Sequence, residues 1–314
     1  MSHSVCRGVP SCLSQYGRVR VSGLGHKGSV WVGHPVSMSG PNLTRRQLGR
    51  RLRTLREQSG ISPGAIASEP IELMSTSKLY RLENGQQPKP HYPDVKELCE
   101  LYGHGPASEI TKELVRMAKA CLQAGWWEPF GSGVPAWFQL YLELEQITHT
   151  IRVYEVAYVT GLLQTEATMR ALLAANPALD PDTVEQTVEA RLRRQRHFTA
   201  RNPAPRLELA IDEGALRRVV GGPDAHAEQL AHLREANARP NISVHVLPAA
   251  SGAYAGQGQP FTLMEFPDPL DPSVVYSEAA TGAHYDESAG AFGRRLATFG
   301  SMIGQAVPLE EFQL

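Results

Sequence analysis

The sequence predicts a multidomain chain in which an all-α unit is followed by an α+β unit. Three observations carry that expectation. Between Leu43 and Gly103 apolar residues recur at helical spacing, punctuated by Gly and Pro. Beyond about Ile151, strand-like apolar runs alternate with helical segments. The length of 314 residues exceeds the ~100–200 residues of one ordinary domain. The expected divisions are a disordered tail at 1–40, an all-α unit at 41–105, a helical connector at 106–150, an α+β unit at 151–304, and a C-terminal tail at 305–314.

Residues 1–40 are rich in Gly, Ser and Val and have no sustained period. Polar residues interrupt every apolar cluster, unlike a secretory peptide. Two readings stand side by side: a disordered tail, or translation beginning at Met38, just ahead of the organised region.

In the first unit, Leu48, Leu52 and Leu55 mark the apolar face of a helix over Leu43–Ser59, with Thr44 as its cap and Gly60 as its stop. Ser62 followed by Pro63 opens a second helix to about Ser68 that buries Ile66. Pro70 breaks it. A third helix runs from Ser75 to Asn84 with Leu79 and Leu82 inward, and Gly85 ends it. A fourth spans Asp94–Tyr102, burying Val95, Leu98 and Leu101. Helices are also expected over Pro106–Ala124 and Ala136–Thr150.

In the second unit the candidate strands are Arg206–Ile211, Ile242–Leu247, Phe261–Phe266 and Ser273–Glu278. Helices are expected at Glu166–Ala174, Asp182–Thr199, Gly214–Val219, Asp224–Ala238 and Ser288–Gly304. Strands and helices mixed in this way read as α+β.

Composition narrows the function classes. Apolar residues make up 42 % and the net charge is −1, so the whole chain has no basic excess. No run approaches the ~20 apolar residues of a membrane-spanning helix. Cys6, Cys12, Cys99 and Cys121 form no CxxC pair and no zinc spacing; a cytoplasmic location is the natural inference. GxSxG, GxxxxGK[ST] and HExxH are all absent, so no enzyme is expected, and no cofactor or metal.

Charge is local instead. Between Leu43 and His104 there are ten Lys and Arg against seven Asp and Glu. Two helices joined by a turn, the second opening on small hydroxyl residues, form a helix-turn-helix. Its second helix enters a major groove and its N-terminal side chains lie closest to the bases. Ser75, Thr76, Ser77 and Lys78 occupy those positions, and Arg81 lies one turn on. Arg45, Arg46, Arg50 and Arg53 on the first helix would supply phosphate contacts. The plainer reading of that arginine run is a solvated face.

The segments LGRRLRTLREQSGISPGAIA, STSKLYRLENGQ and DVKELCELYG resemble Xre-type (Cro/repressor-like) helix-turn-helix regulators. The resemblance implies DNA-facing roles for Thr76, Ser77, Lys78 and Arg81. It adds Ser62 as a phosphate contact at a helix start. Glu83 matches a structural position of that family. The turn containing SEPIELM is about two residues longer than the family's pattern, which bears on the angle between the two helices.

The second unit resembles the C-terminal domain that accompanies this module in actinobacterial, antitoxin-like regulators. WWEPFG, LYLELEQ, IRVYEVAYVTGLLQTEATMRALL, VEARLRRQ, LAIDEGALRRVVGGPDAHAEQLAHL, PNISVHVLP, PFTLMEFPDP and VVYSEAATGAHY carry the likeness. It implies a sensing, dimerising or partner-binding domain. The expected partners are double-stranded DNA with a palindromic operator, a second copy of the chain, a small-molecule effector, and a small protein encoded nearby. Trp126, Trp127, Tyr154, Tyr276 and Tyr285 are candidates for a ligand or partner pocket, or else ordinary core. Arg191, Arg193, Arg194, Arg196 and Arg201 form a second basic cluster, read as a solvated face or as a contact with DNA or an acidic partner.

Overall fold

The computed structural model describes residues 43–122, 125–269, 271–279 and 282–313. The expected tail at 1–40 lies outside the described residues. The first unit contains α1 (Leu43–Ser59), α2 (Pro63–Ile66), α3 (Thr76–Glu83), α4 (Tyr92–Leu101) and α5 (Glu109–Ala120). Their apolar faces meet in one core. Leu48 and Leu52 of α1, Ile66, Leu79 and Leu82 of α3, Val95 and Leu98 of α4, and Leu114 of α5 are all buried there.

Several of the expected helices change length. The second is shorter than the sequence suggests, because the chain turns away after Ile66 and returns when the Leu73 N–H donates to the Ile66 carbonyl at 3.0 Å. The extra residues of SEPIELM are thereby held in an outward bulge, with Glu72 at φ +42°. The fourth helix begins two residues earlier than expected, on Tyr92-Pro93, because proline fits the first helical turn.

The second unit contains α6 (Ala136–Ile147), β1 (Thr150–Glu155), α7 (Glu166–Ala174), α8 (Pro181–Thr199), β2 (Arg206–Asp212), α9 (Glu213–Arg217), α10 (Pro223–Asn237), β3 (Ile242–Leu247), β4 (Phe261–Glu265), β5 (Val274–Ala279), β6 (Gly282–Asp286), α11 (Ala289–Ile303) and β7 (Val307–Pro308). Its sheet has seven strands in the order β6-β5-β4-β1-β2-β3-β7. β1, β2 and β3 run parallel, and the remaining pairings are antiparallel. An all-α helix-turn-helix unit followed by an α+β unit is therefore the architecture.

Alternation of side chains divides the sheet's two faces. Ile151, Val153, Leu207, Leu209, Val244 and Val246 pack with Leu233 and Ala236 of α10 and Phe198 of α8. Tyr154, Ala210, Leu247, Leu263 and Val275 pack with Phe299 and Met302 of α11 on the other face.

Three expectations are corrected. The strand β1 lies at the centre of the sheet, where the sequence reading had a helix end and no strand. The connector expected at 106–150 is not a separate piece: α5 completes the first core, whereas Tyr141 and Leu144 of α6 pack against the sheet residues Met264 and Tyr276. The tail expected at 305–314 instead carries the sheet's last strand. Val307 pairs with Val246, and Leu309 is buried.

Candidate nucleic-acid interface

The helix α3 is fixed from three sides. Leu79 and Leu82 anchor its inner face. Gly49 lets α1 come close: a Cβ there would lie 2.5 Å from the carbonyl oxygens of Leu82 and Glu83. Arg56 of α1 donates from Nε to Glu83 Oε1 at 2.7 Å and from Nη2 to Glu83 Oε2 at 3.0 Å. Both side chains are buried, which makes the pair a clamp rather than a surface contact. The helix starts cleanly because the Ser75 hydroxyl accepts from the Lys78 N–H at 3.2 Å. At its end Gly85 takes φ +65°, and a Cβ there would meet Arg46 at 2.8 Å.

The outer face of α3 is open. Thr76, Ser77, Tyr80 and Arg81 are exposed, Tyr80 at 61 %. With Arg53 and Pro63 they line a groove of about 610 Å³. Ser62 is exposed at the start of α2, where its hydroxyl accepts from the Ala65 N–H at 3.2 Å. Tyr80 is a feature the sequence reading passed over. Its signal was available, because position 80 lies between the inward positions 79 and 82 and one turn after Thr76.

Lys78 stands apart from the rest of that face. Its Nζ lies 2.5 Å from Asp94 Oδ2 on α4, and His91 Nδ1 lies 3.0 Å from the other oxygen. Burial would raise the Asp94 pKa, but the hydrogen bonds from Lys78 and His91 outweigh it and hold the carboxylate below its usual range.

The arginines of α1 divide into several roles. Arg53 is exposed and, among the described residues, bonds only along its own helix, to Glu57 at 2.9 Å. Arg45 Nη1 donates to the Pro88 carbonyl at 3.1 Å. Arg46 and Arg50 instead face the second unit, Arg46 paired with Glu287 and Arg50 with Asp271. Arg51 bridges Asp268 and Glu113, both at 2.6 Å, and Gln47 donates to Asp271 at 2.5 Å. The stripe 46/47/50/51 is a docking seam between the two units, and two of the four arginines expected at phosphates are engaged there.

The aromatic candidates of the second unit scatter. Tyr154 and Tyr276 line one cavity. Trp126 lines a different one, beside His197 and Arg201. Trp127 is buried with Phe130 and Val134. The Tyr285 hydroxyl donates to the Trp137 carbonyl at 2.9 Å, and its ring packs on Tyr276.

The second basic cluster is largely internal. Arg194 is buried and grips Glu145 with Nε and Nη2, at 2.9 and 2.6 Å. Arg201 donates to the carbonyls of Glu145 and Thr148. Arg191 donates to Gln164 at 3.1 Å. Among the described residues no group of three or more His, Cys, Asp or Glu is gathered as a metal site requires, and no helix is long and apolar enough to cross a membrane.

Two family models match the chain. One, described as a helix-turn-helix domain, covers residues 47–109. The other, described as a domain of unknown function (DUF5753), covers residues 138–311. No curated protein and no solved structure matches the chain. The first match spans α1 to the start of α5 and takes in the exposed face of α3. The second spans the whole sheet and more than half of the chain. The protein is therefore a helix-turn-helix protein whose C-terminal part places it in the DUF5753 family.

Proposed function

We propose that the protein is a sequence-specific transcription regulator of the Xre type that reads double-stranded DNA with α3. One observation carries the reading: Thr76, Ser77, Tyr80 and Arg81 share an uncovered face beside Arg53. Hydroxyl, phenol and guanidinium groups there are the donors and acceptors that a major groove's edges match. Ser62 and Ser75 flank that face at two helix starts, and Lys78 joins it once released from Asp94. Two copies on a palindrome would present two α3 helices ~34 Å apart. In this reading the second domain is the sensor, and α1 is its handle on the reading head.

Genome-wide mapping of bound DNA tests the proposal, followed by titration of the recovered site. Lys78→Ala and Arg81→Ala are expected to weaken binding while the fold persists. Wild-type binding by both variants removes α3 from the groove.

A second reading, an antitoxin-like protein that neutralises a small protein encoded nearby, draws on a different observation. Tyr158 and Val219 are exposed apolar side chains at 44 % and 57 %, close to a crevice lined by Tyr158 and Val220. Co-purification with the neighbouring gene's product supports it. A homodimer alone counts against it.

A further inference from the structure

At the carboxyl end of β1, between the sheet and the helices α6 and α8, lies a cavity of about 130 Å³. A cavity of that order holds a ligand about the size of benzene. Its walls are aromatic: Tyr141, Tyr154, Phe261 and Tyr276. Tyr141 and Tyr276 stand edge to face with centroids 4.6 Å apart. Two carboxylates, Glu155 and Glu278, open into it.

One acid in this space has no counter-ion. Arg194 from α8 also lines it, but Glu145 from α6 neutralises Arg194 through three hydrogen bonds. Arg191, on the same helix, is held by Gln164. Among the described residues Glu278 accepts only from the Tyr276 hydroxyl, at 3.0 Å. Glu155 has no hydrogen-bond or ion-pair partner among the described residues. Glu145 and Glu278 thus match the two guanidiniums in charge, and the carboxyl of Glu155 is left over inside an aromatic cavity. Rings attract cations through their faces, and here Arg194 already lies 5.0 Å from the Tyr141 centroid.

We propose that this cavity binds a small organic cation, a primary ammonium on a short apolar stem, with Glu155 and Glu278 holding the charge and Tyr141 and Tyr276 flanking the stem. The inference deepens the sensor reading of the second domain.

Proton exchange is the signature of such a site. Burial, then the charge of Glu278, push Glu155 up to about 8, with Arg194 opposing them. Tyr141, Tyr154 and Tyr276 also face the cavity, and burial raises all three phenols, so none ionises in the working range. An arriving ammonium therefore displaces a proton from Glu155 at pH 7.

Isothermal titration of the full chain with n-butylamine and benzylamine tests this, with benzyl alcohol as the neutral control. The expected result is binding by at least one amine, at least tenfold tighter than the alcohol. Affinity should rise by up to about tenfold per unit between pH 6 and 8, with proton release seen in buffers of different ionisation enthalpy. Glu155→Gln and, separately, Glu278→Gln should each weaken the amine at least tenfold at pH 8 without lowering the melting temperature. No binding by either amine, equal binding of the alcohol, or full affinity in Glu155→Gln overturns the proposal. Duplex DNA titrated into the same preparation reports separately on the reading head, so failure of the cation site and failure of DNA binding are distinguishable.

Discussion

Arg56 and Glu83 join α1 to α3 through two hydrogen bonds of 2.7 and 3.0 Å, both side chains buried. The arginine also reaches the Ile61 carbonyl at 3.3 Å, so one guanidinium ties together both helices and the loop after α1. Removing one partner strands a buried charge, a loss of about 3–5 kcal/mol. Glu83→Ala is expected to shift urea unfolding of the first unit by that amount. Arg56→Met combined with Glu83→Leu should recover most of it, because an apolar pair leaves no buried charge unpaired.

On the reading face, Tyr80 and Arg53 should fail differently. Tyr80 offers a ring and a hydroxyl, so Tyr80→Ala is expected to weaken binding to the recovered site at every salt concentration alike. Arg53→Ala should reduce the slope of log affinity against log salt by about 1, the signature of one lost phosphate contact. Fluorescence anisotropy across a salt series separates the two.

Lys78 is held at 2.5 Å by Asp94. Asp94→Asn keeps the shape and releases the ammonium. Non-specific DNA affinity should rise several-fold and its salt dependence steepen by about 1. Unchanged affinity would mean that Lys78 does not reach the duplex even when free.

The seam along α1 gives a sharper test of regulation. Asp271→Asn with Glu287→Gln removes the acids that face Arg46 and Arg50. Both arginines are then available to phosphates. The double variant is expected to bind DNA more tightly than wild type, and to be cut more readily by protease. Loss of DNA binding in this variant would show that the seam positions the reading head instead of restraining it.

Glu155 makes stability depend on pH in a definite direction. Its folded pKa, about 8, lies above the unfolded value of about 4.3 for Glu, so the native state holds a proton that the unfolded state has released. Stability from this group is full below the unfolded value and declines as pH rises to about 8. Glu155→Gln cannot ionise. Its melting temperature should exceed wild type at pH 8 and match it near pH 4.

Much of the fold was legible because its signals are local. The Ser288 hydroxyl caps α11, accepting from the Ala291 N–H, and Gly304 closes it, as their residue types suggest. β3 occupies the expected Ile242–Leu247 because its buried positions alternate. The strand β1 was missed for a physical reason. Its outward Arg152 is satisfied by Glu208 and Glu265 on the flanking strands, so the strand lacks the apolar continuity of a central position. The face of α3 was visible in its serine cap and small hydroxyl residues. The engagement of Arg46, Arg50 and Arg51 was not. Contacts from this stripe to Asp268 and Asp271 span 217 to 224 residues of sequence, and nothing near α1 announces them.

One consequence of that seam concerns how such a protein can be recombined in evolution or in the laboratory. A reading head on a free tether can be exchanged for another by cutting the tether. Here the spine of the first unit is also the dock of the second, because a single helix carries Leu48 and Leu52 into one core and Arg46 and Arg50 onto the other unit's acids. Grafting a foreign head onto this C-terminal unit would require transplanting the arginine spacing of α1 along with it. Heads lacking that spacing would be left undocked from the C-terminal unit even when both halves fold.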